Sequence, residues 1–337
     1  MSRDSSFSTV WQRLWRDYGF VVAMLAVIGL AWLIPGPAAK GGFLRSAFTT
    51  QLGVWVIFFL QGLTLPTNEL TGGLKPVRAH GFSLCWNYLG FPLCALLVAA
   101  LARPLLSEAL WQGFLFLGIL PTTISSAIAL TAAAGGRAPL AIVSCVSSNL
   151  LAVLLVPALC LLALQAAQGA DVPAGPLLGK LALLIVLPLI AGQLLRQRLR
   201  ALVLSLKPHA KKISNGIILY LVHVAFANSV QSGFWQTQRP TAVLVVLGFS
   251  AILLALVSAA VWGSSRWLRL GGGERVAVFF SASQKSLATG LPLASSILGA
   301  LEAAPPLSAL VLPLLCYHPL QLILGAAVVP RLSRAAR

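Results

Sequence analysis

The stretches GILPTTISSAIALTAAAGG (118–136) and FFSASQKSLATGLPLASS (279–296) decide how this chain folds. Each lies in an apolar run long enough to cross a bilayer, and each interrupts that run with polar residues near its middle. In the first, Pro121 cannot donate to a helical ladder, and its ring clashes with the preceding turn. Thr122, Thr123, Ser125 and Ser126 follow at once, with hydroxyls that can satisfy freed backbone groups or coordinate a cation. In the second, Ser281, Ser283, Gln284, Lys285 and Ser286 form a dense polar patch, with Gly290 and Pro292 just after it.

Lipid is the solvent around these runs. Of 337 residues, 58% are hydrophobic and only 9% are charged, whereas soluble domains carry about 25% charged residues. Runs of about 20 residues predict spans near 19–35, 48–66, 82–102, 110–134, 138–165, 177–195, 212–231, 241–263, 275–299 and 307–330. PGPAAKGG, Gly135-Gly136-Arg137, DVPAGP and GGGER separate spans with helix-stopping glycine and proline. The basic first segment with Asp4 and Asp17 mixed in reads as a retained first helix rather than a cleaved signal.

The net charge of +17 invites a nucleic-acid reading, but the basic residues sit in short loops between apolar runs. Anionic lipid headgroups and the positive-inside bias account for them, and no nucleic-acid partner is expected. With a cytoplasmic N-terminus, 18 of the 24 Lys and Arg fall inside. Five fall outside (Lys40, Arg45, Arg103, Lys180, Arg239), and Lys285 alone lies in the membrane. That bias predicts ten spans with both termini cytoplasmic.

All seven acidic residues fall in loops, tails or helix edges. Paired-carboxylate catalysis, an Asp-rich magnesium site, a Ser/His/Asp hydrolase and a carboxylate proton relay all need acids at depth, so an enzyme is not expected. The five cysteines lie in apolar runs without a CxxC or Cys/His metal spacing and read as buried free thiols.

Kinked helices repaired by Ser and Thr would explain the first break alone. Lys285 changes the weighing, since a lysine at mid-span costs about 2.5–3.5 kcal/mol on insertion scales. The two breaks stand five spans apart, and halves of five helices must have opposite orientations. The expected fold is an all-α integral membrane protein, one domain over 1–337, built as two inverted repeats (about 19–165 and 177–330). Its broken helices 4 and 9 cross near the midplane. Asn87 and Asn149 are further polar positions inside spans; His318, before Pro319, and His223 read as structural, and Gln51 and Gln61 as facing neighbouring helices.

LPTTISSAIALTAAAGG (120–136), SNLLAVLLVPAL (148–159), LPLIAGQLLR (187–196), SASQKSLATGLPL (281–293) and LPLLCYHPLQL (312–322), in this order, resemble the bile acid:sodium symporter family. The likeness is to its bacterial branch related to the seventh member of the human bile-acid carriers. It implies ten helices, an inverted repeat, and a panel domain moving against a core that holds crossed helices 4 and 9. It also implies two sodium sites beside the crossing, with a sodium position near Thr123, Ser126, Asn149 and Gln284 and a span-3 ligand near Asn87. The match is partial: Ala127 stands for an asparagine, Phe280 for the shared acidic ligand, and Lys285 for an asparagine.

Two sodium ions without a carboxylate would leave uncompensated charge in low dielectric. The expectation is that the Lys285 ammonium replaces at least one sodium ion, coordinated by Ser126, Thr123 and Asn149 side chains and freed carbonyls. Proton release from it, or its direct hold on an anionic substrate, are alternative uses. The candidate binding set is Asn87, Thr122, Thr123, Ser125, Ser126, Asn149, Ser281, Ser283, Gln284, Lys285 and His318, with sodium as the sole cofactor considered. The expected activity is sodium- or proton-coupled transport of a small organic anion by alternating access across the bacterial inner membrane. The competing reading is a membrane regulator or partner subunit that has the fold without coupled transport. Reporter fusions are expected to place both termini in the cytoplasm; termini on opposite sides would refute the ten-span map.

Overall fold

The computed structural model describes residues 4–65, 73–168, 175, 179, 181–198, 200–299 and 305–336. Among these, all regular structure is helical. Glu69, Asp171 and Glu302, and part of the sixth expected span, lie outside the described residues. The helices are α1 (Asp4–Leu33), α2 (Ser46–Thr64), α3 (Val77–Cys85), α4 (Phe91–Ala102), α5 (Glu108–Ile119), α6 (Ser125–Ala133) and α7 (Ala138–Gln168). They continue as α8 (Leu187–Arg198), α9 (Arg200–Gln231), α10 (Ala242–Ser264), α11 (Gly272–Ser283), α12 (Leu287–Leu298) and α13 (Leu307–Ala336). Single π-turns, Trp86–Gly90 and Ala182–Val186, lead into α4 and α8.

Six helical stretches are long and apolar enough to cross a membrane: 46–64, 77–105, 138–160, 209–231, 242–268 and 307–336. They coincide with six of the expected spans. The fourth and ninth expected spans are each two short helices, α5 with α6 and α11 with α12.

The two breaks have different causes. Pro121 disfavours the helical conformation of the residue before it, and Leu120 is extended at φ −69°, ψ 153°. No proline stands between α11 and α12. Gln284 is nevertheless extended at φ −98°, ψ 153°, and Ser286 restarts the chain as an N-cap, its hydroxyl accepting from the Thr289 N–H at 3.2 Å. That break is held by tertiary hydrogen bonds.

Helices α1, α2, α8 and α9 pack largely on one another, while α3–α7, α10, α11 and α13 form the second group. Helix α12 touches both, lying against α2 and α9 as well as α13 and α7. Within the first group α2 and α8 meet backbone to backbone. A Cβ on Gly62 would lie 2.1 Å from the Leu189 carbonyl oxygen, and one on Gly192 2.2 Å from that of Phe59. At the loop ends of the second group, Arg137 donates its N–H to the Gly273 carbonyl at 2.9 Å and pairs with Glu274 at 2.9 Å. The start of α11 is thereby pinned to the α6–α7 turn.

Small-to-large changes at such a contact cost about 1–3 kcal/mol or more. Gly192→Val is expected to lower the melting temperature sharply or abolish the monodisperse peak in size-exclusion chromatography. Gly216→Ala on α9, where a Cβ meets nothing within 4 Å, is expected to be tolerated.

Candidate functional site

Lys285 is fully buried where α5–α6 and α11–α12 cross. Its Nζ donates to three main-chain carbonyls: Leu120 at 2.6 Å, Gly118 at 2.8 Å and Asn87 at 3.1 Å. The Phe91 ring covers another side, its centroid 4.0 Å from Nζ, a distance at which the ring quadrupole attracts a cation.

Each of these oxygens is available because a helix is interrupted. In the π-turn, the Phe91 N–H reaches back to the Trp86 carbonyl rather than to Asn87. The next residue, Pro92, has no N–H to offer Asn87. At the end of α5 the Thr122 N–H turns to the Ser148 hydroxyl at 3.3 Å, leaving the Gly118 carbonyl free. The Leu120 carbonyl lies beyond the helix, in the segment that Pro121 unwinds. An ammonium has three N–H groups and no acceptor, so three carbonyls satisfy it completely.

Gln321 of α13 holds the lysine's own backbone. Its side-chain amide accepts from the Lys285 N–H at 2.8 Å and donates to the Lys285 carbonyl at 2.8 Å, as a neighbouring strand would. His318 sits one step behind, its Nδ1 2.9 Å from Gln321 Nε2. The Tyr317 hydroxyl donates to the Ser283 carbonyl at 2.8 Å, and Asn87 Nδ2 to the Ser281 carbonyl at 3.0 Å. Two orphan carbonyls at the end of α11 thus find side-chain donors.

The two breaks bond directly to each other, since the Ser286 N–H donates to the Pro121 carbonyl at 2.9 Å. Asn149 clamps both. Its Nδ2 donates to the Thr122 carbonyl at 2.7 Å, and its Oδ1 accepts from the Thr289 hydroxyl at 2.9 Å. Ser126 donates to Gln284 Oε1 at 3.0 Å, and its hydroxyl oxygen lies 3.3 Å from Thr123 Oγ1. Pro292 leaves the Ala288 carbonyl without its helical donor. Gln61 of α2 approaches that oxygen at 3.3 Å and the Thr289 hydroxyl at 3.5 Å, linking the first helix group to the crossing.

The residues singled out from the sequence therefore divide. Asn87, Thr122, Thr123, Ser126, Asn149, Ser281, Gln284 and Lys285 surround the crossing. Ser125 is exposed at the start of α6, Ser283 turns back to the Phe279 carbonyl of its own helix, and His318 backs Gln321. The Lys285 ammonium meets freed carbonyls as expected, but not the side chains of Ser126, Thr123 or Asn149. Those three bond to one another's neighbours. Gln321, Thr289, Tyr317 and Phe91 escaped the sequence reading; Gln321, Thr289 and Tyr317 lie within the quoted stretches but were not singled out.

Among the described residues no cluster of three or more His, Cys, Asp or Glu could hold a metal ion. At the expected sodium position Asn149 turns its Nδ2 to the Thr122 carbonyl and the Ser126 hydroxyl donates to Gln284 Oε1, while the buried Thr122 Oγ1 and, nearby, Asn87 Oδ1 have no hydrogen-bond partner among the described residues.

Six apolar helical stretches long enough to span, with two broken helix pairs that meet at a buried lysine, fit a multi-pass membrane transporter. The SBF-like CPA transporter family model matches residues 18–334, and the chain belongs to that family. Among its relatives, Sodium/bile acid cotransporter 7 of Danio rerio is 31% identical over 94% of each chain. The same-named protein of Xenopus tropicalis is 30% identical over 96% of this chain and 93% of its own. Putative symporter YfeH of Escherichia coli is 30% identical over 94% of this chain and 92% of its own.

Leaving a buried polar group unpaired costs about 1–3 kcal/mol. Gln321→Leu strands both main-chain groups of Lys285 and is expected to lower the thermal midpoint strongly. His318→Leu removes only the outer bond and is expected to lower it less.

Proposed function

We propose that the chain is a secondary transporter of a small organic anion in the cytoplasmic membrane. It works by alternating access, and the Lys285 ammonium supplies the charge that a sodium ion would otherwise bring. Ten spans in two inverted repeats, with both termini cytoplasmic, are the arrangement this reading requires. The observation that carries it is the direct bond between two unwound segments far apart in sequence, Ser286 N–H to the Pro121 carbonyl, beside the buried Lys285.

Several features support it. Broken helices meeting at mid-membrane are a recurrent plan for substrate sites in secondary transporters. A lone positive charge beside open backbone favours a negatively charged cargo. Helix α12 is shared between two helix groups, as an element that couples their relative movement would be. The names of the relatives, cotransporter and symporter, point the same way.

Uptake of radiolabelled taurocholate and of small monocarboxylates into proteoliposomes tests the reading. At least one of these anions is expected to enter when choline replaces sodium. Lys285→Ala and Lys285→Met are expected to reduce that uptake by tenfold or more. Strict sodium dependence with an active Lys285→Ala protein would remove the lysine from the mechanism. Absence of flux for every anion would favour a regulator or partner subunit instead.

A further inference from the structure

The oxygens around Lys285 Nζ have no side chain among them. They are the main-chain carbonyls of Asn87, Gly118 and Leu120, converging at 3.1, 2.8 and 2.6 Å. The elements that carry them are held without the lysine's help. The π-turn and Pro92 release Asn87, Pro121 and the Ser148 hydroxyl release Gly118 and Leu120, and Tyr317 stands edge-on to the Phe91 ring at 5.6 Å. The cage is thus a property of two interrupted helices, and the lysine is its occupant.

We propose that the carbonyls of Asn87, Gly118 and Leu120, under the Phe91 ring, form a binding site for an ammonium-type monovalent cation, which Lys285 fills from within. The inference rests on reading Lys285 as a resident charge, and it specifies what the lysine replaces. The lysine supplies the charge of a sodium ion at a different place and with a different preference. Its oxygens sit at N–H···O hydrogen-bond distances from the occupant, which suits an ammonium group. A bare sodium ion is smaller and would have to draw main-chain segments of three elements inward. The ring face adds to the preference, because aromatic faces favour ammonium groups that have shed their water. Removing the lysine side chain opens the site to a free cation that reproduces its end: methylammonium first, ammonium next, potassium after that, and sodium least.

The test uses the full-length protein in detergent, with thermal unfolding followed in chloride salts of methylammonium, ammonium, potassium, sodium and choline at equal ionic strength. Wild type is expected to show no difference among them. Lys285→Ala is expected to melt lower in choline and to recover in a saturable way with methylammonium, because a ligand of the folded state raises its stability with ln(1 + [L]/Kd). Lys285→Arg is expected to melt low without recovery, since a planar guanidinium cannot aim three N–H groups at one converging set of oxygens. Adding Phe91→Leu to Lys285→Ala is expected to erase the preference for methylammonium over sodium.

If Lys285→Ala gives no monodisperse protein in choline, extraction in methylammonium is expected to restore it. Equal melting of Lys285→Ala in all five salts, recovery by sodium as strong as by methylammonium, or failure to obtain folded protein in any salt would each overturn the proposal. Binding is read without flux. A protein that transports nothing can therefore pass this test, and one that transports can fail it.

Discussion

One ammonium group bonded to three main-chain carbonyls organises the centre of this protein. Its burial without a carboxylate partner would be prohibitive if it had to rely on charge pairing. It is stabilised instead by dipoles that the fold has already exposed. Carbonyls at helix ends and breaks are costly in a membrane unless something donates to them. Lys285 and the interrupted helices solve each other's problem. Loss of either would leave several polar groups unpaired in a medium that offers no water.

The same accounting extends outward. Nearly every group freed at the breaks is met by a side chain from a different element: Gln321 from α13, Asn149 from α7, Asn87 from the π-turn and Gln61 from α2. These bonds fix the crossing as a unit within the second helix group. Helix α12, Gln61 and the packing of α9 on α13 carry contacts across to the first group. Close backbone packing of α2 on α8, through Gly62 and Gly192, keeps that first group stiff. A stiff pair facing a stitched crossing, with polar contacts concentrated at one short helix, is mechanically suited to movement of one group against the other.

The broken helices were legible in the sequence because their signals are local. Pro121 followed by four hydroxyl residues marks one, and a lysine inside an apolar run marks the other. The six long spans followed from hydropathy alone. The partners of Lys285 were not legible for a physical reason: they are backbone oxygens, which every residue has. What frees the Asn87 carbonyl is a π-turn before Pro92, and WNYLGFP reads as an ordinary apolar span with one asparagine. Gln321 was hidden differently. Its importance comes from lying beside residue 285 across 36 positions of sequence, and no periodicity records that. Expecting side-chain ligands from Ser126, Thr123 and Asn149 carried over a family residue pattern, whereas the Lys285 ammonium meets main-chain carbonyls.

That last difference bears on how the protein is driven. A free ion occupies its site in proportion to its concentration on the side the site faces, so occupancy can carry a gradient's energy. A tethered ammonium has an effective concentration set by its stem and unrelated to either compartment. On the proposed reading its three acceptors belong to one packed group, so it would neutralise an anionic cargo equally well whichever way the site opened. Such a charge would favour binding of the anion without favouring a direction. Directionality would then have to enter elsewhere, through the cargo's own gradient or through groups that change partners if α12 moves against α2 and α9. Among the described residues, the Gln61 contacts to Ala288 and Thr289 are polar contacts so placed, since they join the first helix group to the helix that follows the break at Lys285.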